Sequence, residues 1–147
     1  TTDHHLVIQK VRIELEKYYG AENWVTGKAL YKLKLFKNVP DALFTHRGRY
    51  FAVEGELNVK SRQRMKEVLK NYYTNFYDLN DPLCPLHYVI YFTPHVKAVR
   101  DLIDEFVPPE FRKRFRVILV NKEIKPYQKE ERHYLNNDLD SLLFPTK

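Results

Sequence analysis

Apolar side chains recur at the three- and four-residue spacing of amphipathic helices in two long segments of the chain. The first segment, residues 3–19, begins at Asp3, a residue type that caps helices. The second segment, residues 61–77, follows the helical pattern most closely. A third helix is predicted over residues 93–106, because Thr93-Pro94 supplies a capping residue followed by a first-turn proline.

Shorter apolar runs predict β-strands between these helices. Residues 41–45 and 50–57 flank the turn-forming sequence His46-Arg47-Gly48-Arg49, so they predict a hairpin. Residues 29–36 fit either a short helix or a strand. Further strands are predicted at residues 23–26, 86–92 and 115–120. The resulting order, a helix, antiparallel strands, and then alternating helices and strands, predicts an α/β sandwich with a central mixed sheet flanked by helices.

The strand predicted at residues 50–57 carries two acidic residues on one face. Because side chains alternate along a strand, Glu54 and Glu56 point to the same side, while Phe51 and Val53 point into the predicted core. Asp41 begins the neighbouring strand, so three carboxylates converge if the two strands pair. Repulsion between adjacent carboxylates is relieved by a divalent cation such as Mg²⁺ or Mn²⁺, and such ions most often act on phosphates. The alternative is an exposed strand face that carries two solvated charges.

Two polar residues lie within or beside the apolar stripe of the first helix. Glu14 lies at the edge of the stripe, one heptad after Val7, where a carboxylate is costly unless it has a partner. It is either a surface residue that buries only its aliphatic part or a fourth acidic group that faces the metal site. His4 falls within the stripe and is either a structural histidine or a metal ligand or proton donor.

Basic residues follow one side of the second predicted helix. Arg62, Lys66 and Lys70 are spaced four residues apart, and Arg64 lies between the first two. The chain has a net charge of +6 and a pI near 9.3, which favours an anionic partner, and the basic residues predict contacts with DNA phosphates. The alternative is an ordinary solvated helix face. The eleven tyrosines either belong to the core or offer stacking surfaces to single-stranded DNA.

The composition is typical of a folded protein with one main domain. Of the 147 residues, 44% are hydrophobic and 14% aromatic, which excludes a disordered chain. Residues 1–120 are predicted to form the core domain, and residues 121–147 a charged C-terminal extension. The single cysteine, Cys84, excludes an internal disulfide framework or a thiolate zinc cluster and suits a cytoplasmic protein. No apolar run approaches membrane-spanning length, so no membrane segment is expected.

The acidic residues stand in an order that resembles the core of the PD-(D/E)xK nuclease superfamily, which has the restriction-endonuclease-like fold. In that pattern an Asp after Pro opens one strand, and an acidic residue and a lysine follow, two positions apart, on the next strand. Pro40-Asp41 matches the first part and Glu54 the second. The third position is Glu56 instead of lysine, and Lys60, at the start of the strong helix, stands as a replacement.

A closer resemblance covers the first, larger part of the chain. Residues 4–15, Pro40-Asp41-Ala42-Leu43, residues 53–57 and residues 60–64 look like two plasmid groups, the replication-relaxation proteins and the MOB-C-type mobilisation relaxases. The second group is understood as restriction-nuclease-like enzymes that nick one DNA strand at a transfer origin. They use a metal instead of the tyrosine nucleophile of the commoner relaxases.

The resemblance implies a metal-dependent DNA endonuclease that nicks a plasmid or mobile-element transfer origin during conjugative mobilisation. Mg²⁺ or Mn²⁺ would be held by Asp41, Glu54 and Glu56, with Glu14 behind them, and Lys60 would orient the water or neutralise the phosphate. The expected partners are plasmid DNA and accessory mobilisation proteins. The alternative is a non-cleaving DNA-binding module of a plasmid replication or relaxation complex, which the missing motif lysine favours. A third interpretation is a structural role in such a complex, with the charged tail docking a partner protein.

Overall fold

A computed structural model of the protein describes residues 3–34, 36–76 and 85–120. Within these ranges the chain forms four α-helices, five strands and one 3₁₀ helix. Their bounds are α1 Asp3–Tyr18, β1 Glu22–Thr26, α2 Gly27–Leu33, β2 Ala42–His46, β3 Arg49–Gly55, α3 Arg62–Tyr73, β4 Tyr88–Thr93, α4 Val96–Phe106, the 3₁₀ helix Pro109–Arg114 and β5 Phe115–Leu119. Cys84 and the predicted extension at residues 121–147 lie outside the described residues.

The five strands form one mixed sheet in the order β1-β2-β3-β4-β5. The first three strands pair antiparallel, whereas β4 runs parallel to β3 and β5 parallel to β4. The predicted hairpin is confirmed as β2 and β3, which turn at Arg47 (φ 51°) and Gly48 (φ 78°). Two successive residues with positive φ suit the right-handed twist of the flanking strands. The predicted α/β class with a central mixed sheet is therefore confirmed.

Helices cover both faces of this sheet, and the alternation of β3 divides the core between them. Phe51 and Val53 pack with the apolar stripe of α1 (Val7, Val11 and Leu15). Ala52, between them, packs on the other face with α3 and α4, together with Met65, Leu69, Tyr72 and Val99. The alternation predicted for this strand is thus observed, and each face of the sheet has its own core.

Two predictions at the ends of elements are settled by local hydrogen bonds. The ambiguous segment at residues 29–36 is helical up to Leu33, where α2 ends, and the Thr26 hydroxyl caps this helix by accepting a hydrogen bond from the Ala29 amide. The prediction that Thr93 caps α4 is wrong, because Thr93 is the last residue of β4 and His95 occupies the cap position. The Thr93 hydroxyl instead donates to the Glu56 carbonyl at 2.6 Å, which ties β4 to the segment after β3.

The described helices are all too short or too polar to cross a lipid bilayer.

Candidate functional site

The structure brings Asp41 and Glu54 together where the β2–β3 hairpin ends. Ala42 pairs with Val53 in the ladder, so the residue before Ala42 and the residue after Val53 are neighbours. The Asp41 amide donates to the Val53 carbonyl at 3.0 Å, and both carboxylates line the same pocket. Acidic side chains from two adjoining strands therefore meet at one point, as the strand pattern predicts.

The Asp41 carboxylate is held by one backbone and one side-chain donor. Its Oδ2 accepts a hydrogen bond from the Gly55 amide at 2.7 Å and lies 2.9 Å from Nε2 of His4, in the first turn of α1. This bond to Asp41 raises the pKa of His4 above its usual 6.5, although burial acts in the opposite direction. The His4 side chain is 45% exposed, so it is a residue of the pocket wall and not a buried structural histidine.

Glu54 is almost fully buried, with 7% of its surface exposed. The Tyr72 hydroxyl, from α3, donates to Glu54 Oε1 at 2.5 Å. Burial, reinforced by the nearby charge of Asp41, raises the pKa of Glu54 from its usual 4.5 to about 8. In the absence of a cation, Glu54 therefore carries a proton at neutral pH, because the low-dielectric surroundings disfavour a second negative charge beside Asp41.

Glu56 and Lys60 form an ion pair across the segment that joins β3 to α3. Lys60 Nζ lies 2.6 Å from Glu56 Oε1, and the Glu56 carboxylate is buried. Its other oxygen, Oε2, is buried with no hydrogen-bond partner among the described residues. The interpretation of Glu54 and Glu56 as solvated charges on an exposed strand face is wrong, because both side chains are withdrawn from water.

A buried tyrosine lies beside these acids. Tyr91 of β4 pairs with Glu54 in the parallel register, and its hydroxyl is buried with no hydrogen-bond partner in the described part of the chain. Burial, and then the charges of Glu54 and Glu56, raise the pKa of Tyr91, so it remains a neutral hydroxyl. Sequence reasoning missed Tyr91 because a tyrosine in an almost wholly apolar strand has no local signal that distinguishes a site residue from a core residue.

These side chains surround an open pocket of about 720 Å³. Its walls include the polar residues His4, Asp41, Glu54, Glu56, Asn58 and Lys60. The pocket lies at the end of the sheet where parallel strands β3 and β4 terminate, a common position for ligand sites in α/β proteins.

Two glycines permit the close packing that shapes the pocket. A Cβ at Gly55 would lie 2.9 Å from Cδ1 of Ile8, so glycine lets this side chain of α1 pack directly on the end of β3. A Cβ at Gly27 would lie 2.9 Å from the Pro40 carbonyl oxygen. The Gly27 amide donates to the Asp41 carbonyl at 2.8 Å, which fixes the backbone that carries the first carboxylate.

The donor atoms of the pocket fit a hard divalent cation. Asp41, Glu54 and Glu56 offer only carboxylate oxygens, which Mg²⁺ and Mn²⁺ prefer. The unpartnered buried Oε2 of Glu56 is an acceptor that a cation would satisfy. Across the described residues, no three His, Cys, Asp or Glu side chains already stand in a metal-binding arrangement. Coordination by these three residues therefore stays a prediction that requires Glu54 to lose its proton.

The structure does not bring Glu14 to this pocket. Glu14 is fully buried on α1, which makes the interpretation of a surface glutamate wrong. Along the same helix it lies about ten residues, roughly 15 Å, beyond His4, and the residues that line the pocket do not include it. Glu14 therefore belongs to the interior beneath α1 and is too far along the helix to bind the same cation as Asp41.

The predicted DNA-contacting residues lie on the exposed side of α3, away from the pocket walls. Arg62 forms an ion pair with Glu105 of α4, and its guanidinium carbon lies 4.9 Å from the centre of the Phe106 ring. Lys66 also lies over the Phe106 ring, at 5.9 Å. Arg64 lies 3.7 Å from Glu67, and Lys70 is exposed near the end of the helix. Part of this basic side thus packs α3 against α4.

Among known proteins, no family model, curated protein or solved structure matches this chain. The resemblance drawn from the sequence motifs accordingly stays a prediction, and a function has to be argued from the chemistry of the pocket.

Proposed function

We propose that the protein is a metal-dependent DNA endonuclease that nicks one strand at a plasmid or mobile-element transfer origin. The observation that carries the proposal is the meeting of Asp41 and Glu54 at the hairpin end, in a pocket that also receives Lys60. Two acids on adjoining strands and a nearby lysine are the parts that the PD-(D/E)xK pattern requires. Here the lysine comes from the loop before α3 instead of from the strand position occupied by Glu56.

The order of elements supports the finer fold assignment that accompanies this proposal. The chain order is α1, β1, α2, β2, β3, α3 and β4, with β1 to β3 antiparallel and β4 parallel to β3. Apart from the short helix α2 between β1 and β2, this is the order expected for a restriction-endonuclease-like core. The acids lie at the end of this meander, where that fold would place them. Plasmid DNA would be encountered in the cytoplasm, and the net charge of +6 favours its approach.

The pocket residues would have different roles in phosphodiester hydrolysis. When bound by Asp41, Glu54 and Glu56, Mg²⁺ or Mn²⁺ would lower the pKa of a water molecule and offset charge on the phosphate. Glu54 must first release its proton, and Tyr72 holds the carboxylate in place through its hydroxyl. Lys60 supplies a positive charge at the pocket wall.

The leaving oxygen needs a proton when its bond to phosphorus breaks, and the pocket offers two cationic donors. His4 is held in contact with Asp41, and its raised pKa keeps more of it protonated near neutral pH. Lys60 also lines the pocket, where its ammonium group donates to Glu56 at 2.6 Å. Either group can donate to an oxygen bound in the pocket.

The test is a nicking assay on supercoiled plasmid with the transfer origin, in Mg²⁺ or Mn²⁺. We expect the wild-type protein to produce open circles, and both Asp41→Asn and Glu54→Gln to lose the activity. Glu110→Gln, which changes an exposed carboxylate of the 3₁₀ helix, is the matched control and should nick normally. Retention of nicking by Asp41→Asn, or activity in a chelator, would show that the pocket is not the catalytic site.

A second candidate is the non-cleaving DNA-binding module, and the ion pair between Glu56 and Lys60 favours it. Glu56 occupies the position of the motif lysine, and its ion pair with Lys60 neutralises the charge of the replacement lysine. Metal-independent DNA binding by the wild-type protein, with no nicking in either ion, is the result that selects this candidate. In that case Asp41→Asn should bind DNA as well as the wild type does.

A further inference from the structure

A second groove borders the carboxylate pocket at the His4–Asp41 contact. It has a volume of about 530 Å³ and shares His4, Val39 and Asp41 with the pocket. We call it the aromatic groove and define it by the other side chains that matter here, which are Arg12 of α1, Trp24 of β1, and Lys28 and Tyr31 of α2. The two cavities therefore adjoin, with the His4–Asp41 contact in the wall that they share.

The aromatic groove combines flat rings with positive charge. Tyr31 is 72% exposed, although tyrosine is a residue type of intermediate burial in folded proteins. Trp24 is half-buried and stacks on Phe44 with ring centres 5.8 Å apart, so its ring is packed against the core. The Arg12 guanidinium carbon lies 5.6 Å from the centre of the Trp24 ring, which presents a planar cation on the same wall.

We infer that the aromatic groove binds an unpaired nucleotide of the DNA strand whose phosphate lies in the carboxylate pocket. The inference rests on the proposed function for the position of that phosphate. A base has a flat apolar face that stacks on aromatic rings and guanidinium planes, and its flanking phosphates are anions that suit Arg12 and Lys28. A base reaches such a groove only from a single-stranded segment or after leaving the duplex stack.

The chain provides a direct reporter of this binding, because its one tryptophan lines the groove. We would titrate the metal-free protein with oligothymidylate of about eight nucleotides, within the usual range of single-strand sites. Excitation at the red edge of the tryptophan band avoids the tyrosines. The expected result is a saturable change in Trp24 fluorescence, without any need for cleavage.

Variants of α2 then assign the binding to stacking and charge. Tyr31→Ala should raise the dissociation constant about ten-fold or more, as expected when one stacking ring is lost, and Tyr31→Phe should bind as the wild type does. Lys28→Gln should lower the salt dependence of binding by about one phosphate contact. Leu33→Ala is the matched control, since Leu33 is on the same helix and 60% exposed but does not line the groove.

The outcomes separate this inference from the endonuclease proposal. Plasmid nicking without a fluorescence change, and with unaltered binding by Tyr31→Ala, overturns the groove assignment and leaves the endonuclease standing. A fluorescence change that Tyr31→Ala weakens, in a protein that nicks in neither ion, keeps the nucleotide site and removes the cleavage proposal. Equal affinity for a duplex of the same length overturns the preference for an unpaired base.

Discussion

Replacement of Glu54 by glutamine should remove a large part of the pH dependence of folding stability. The folded state raises the pKa of Glu54 from its usual 4.5 to about 8, so the native protein binds this proton more tightly than the unfolded chain does. The stability that comes from this proton is fully present below about pH 4.5 and is lost as the pH rises through about 8. Glutamine does not ionise, and its amide oxygen can still accept from Tyr72.

The size of the effect follows from the same two values. At about 1.4 kcal/mol for each pKa unit, the difference corresponds to roughly 5 kcal/mol above pH 8 and roughly 3 kcal/mol at pH 7. Glu54→Gln and the wild type should therefore have similar free energies of unfolding near pH 4. The variant should become progressively more stable than the wild type as the pH rises, by an amount that is large against the total stability of a small domain.

Urea unfolding across the pH range from about 4 to 9 measures the difference in free energy of unfolding between the wild type and Glu54→Gln. The contributions of other titratable groups are common to both proteins and cancel in this difference. Glu110→Gln is the control and should follow the wild-type profile. Addition of Mg²⁺ near pH 8 should stabilise the wild type, because a cation that binds the ionised pair shifts the folding equilibrium, and should affect Glu54→Gln much less. Parallel pH profiles for the wild type and Glu54→Gln would refute the assignment of a buried, protonated carboxyl.

Three further substitutions test the surroundings of the pocket by urea unfolding. Gly27→Ala should cost about 2 kcal/mol, because the new Cβ meets a backbone carbonyl 2.9 Å away that cannot yield as a side chain would. Lys60→Gln should lower the free energy of unfolding by about 2 kcal/mol, which is less than for a fully buried pair because Lys60 is partly exposed. The double variant Lys60→Gln with Glu56→Gln should regain most of this loss of stability. His4→Ala should destabilise the protein most below about pH 6.5. That deficit should shrink as the pH rises through the raised pKa of His4, because the contribution of its charged bond to Asp41 is then lost.

For each of these three predictions, one outcome would contradict the reasoning. A neutral Gly27→Ala would mean that α2 does not pack closely on the start of β2. A double variant of Lys60 and Glu56 that is as unstable as Lys60→Gln would mean that the cost does not arise from an unpaired buried carboxylate. A deficit of His4→Ala that is the same near pH 5.5 and pH 8.5 would mean that the bond to Asp41 does not depend on the charge of the imidazole.

The meeting of the two main acids could be predicted from the sequence because it depends on local rules. Alternation fixes which side chains of β3 enter each core, and the turn at Arg47-Gly48 fixes which residues of β2 and β3 are neighbours. Asp41 and Glu54 follow directly from that register. The same rules predicted the class of fold, since each helix pattern matched a helix of the structure.

The remaining features depend on contacts between elements that are distant in sequence. The contact of His4 with Asp41 depends on how α1 packs over the end of β3, and no local pattern encodes that distance. The burial of Glu14 and the position of Tyr91 depend likewise on how α1 and β4 pack on the sheet. Thr93 looked like a helix cap because of the proline after it, but it ends β4 and its hydroxyl donates to the carbonyl of Glu56, just after β3.

The hydrogen bond from the Gly55 amide to the Asp41 side chain also explains why the hairpin stops where it does. The residue before Asp41 is Pro40, which has no amide hydrogen to add to a ladder, and the carboxylate takes up the donor that another rung of main chain would otherwise use. The ladder between β2 and β3 therefore ends at this hydrogen bond between the Gly55 amide and the Asp41 carboxylate. A longer ladder between β2 and β3 would fill the adjacent pocket with backbone. Asp41 therefore ends the pairing of the two strands and, by doing so, keeps the pocket open.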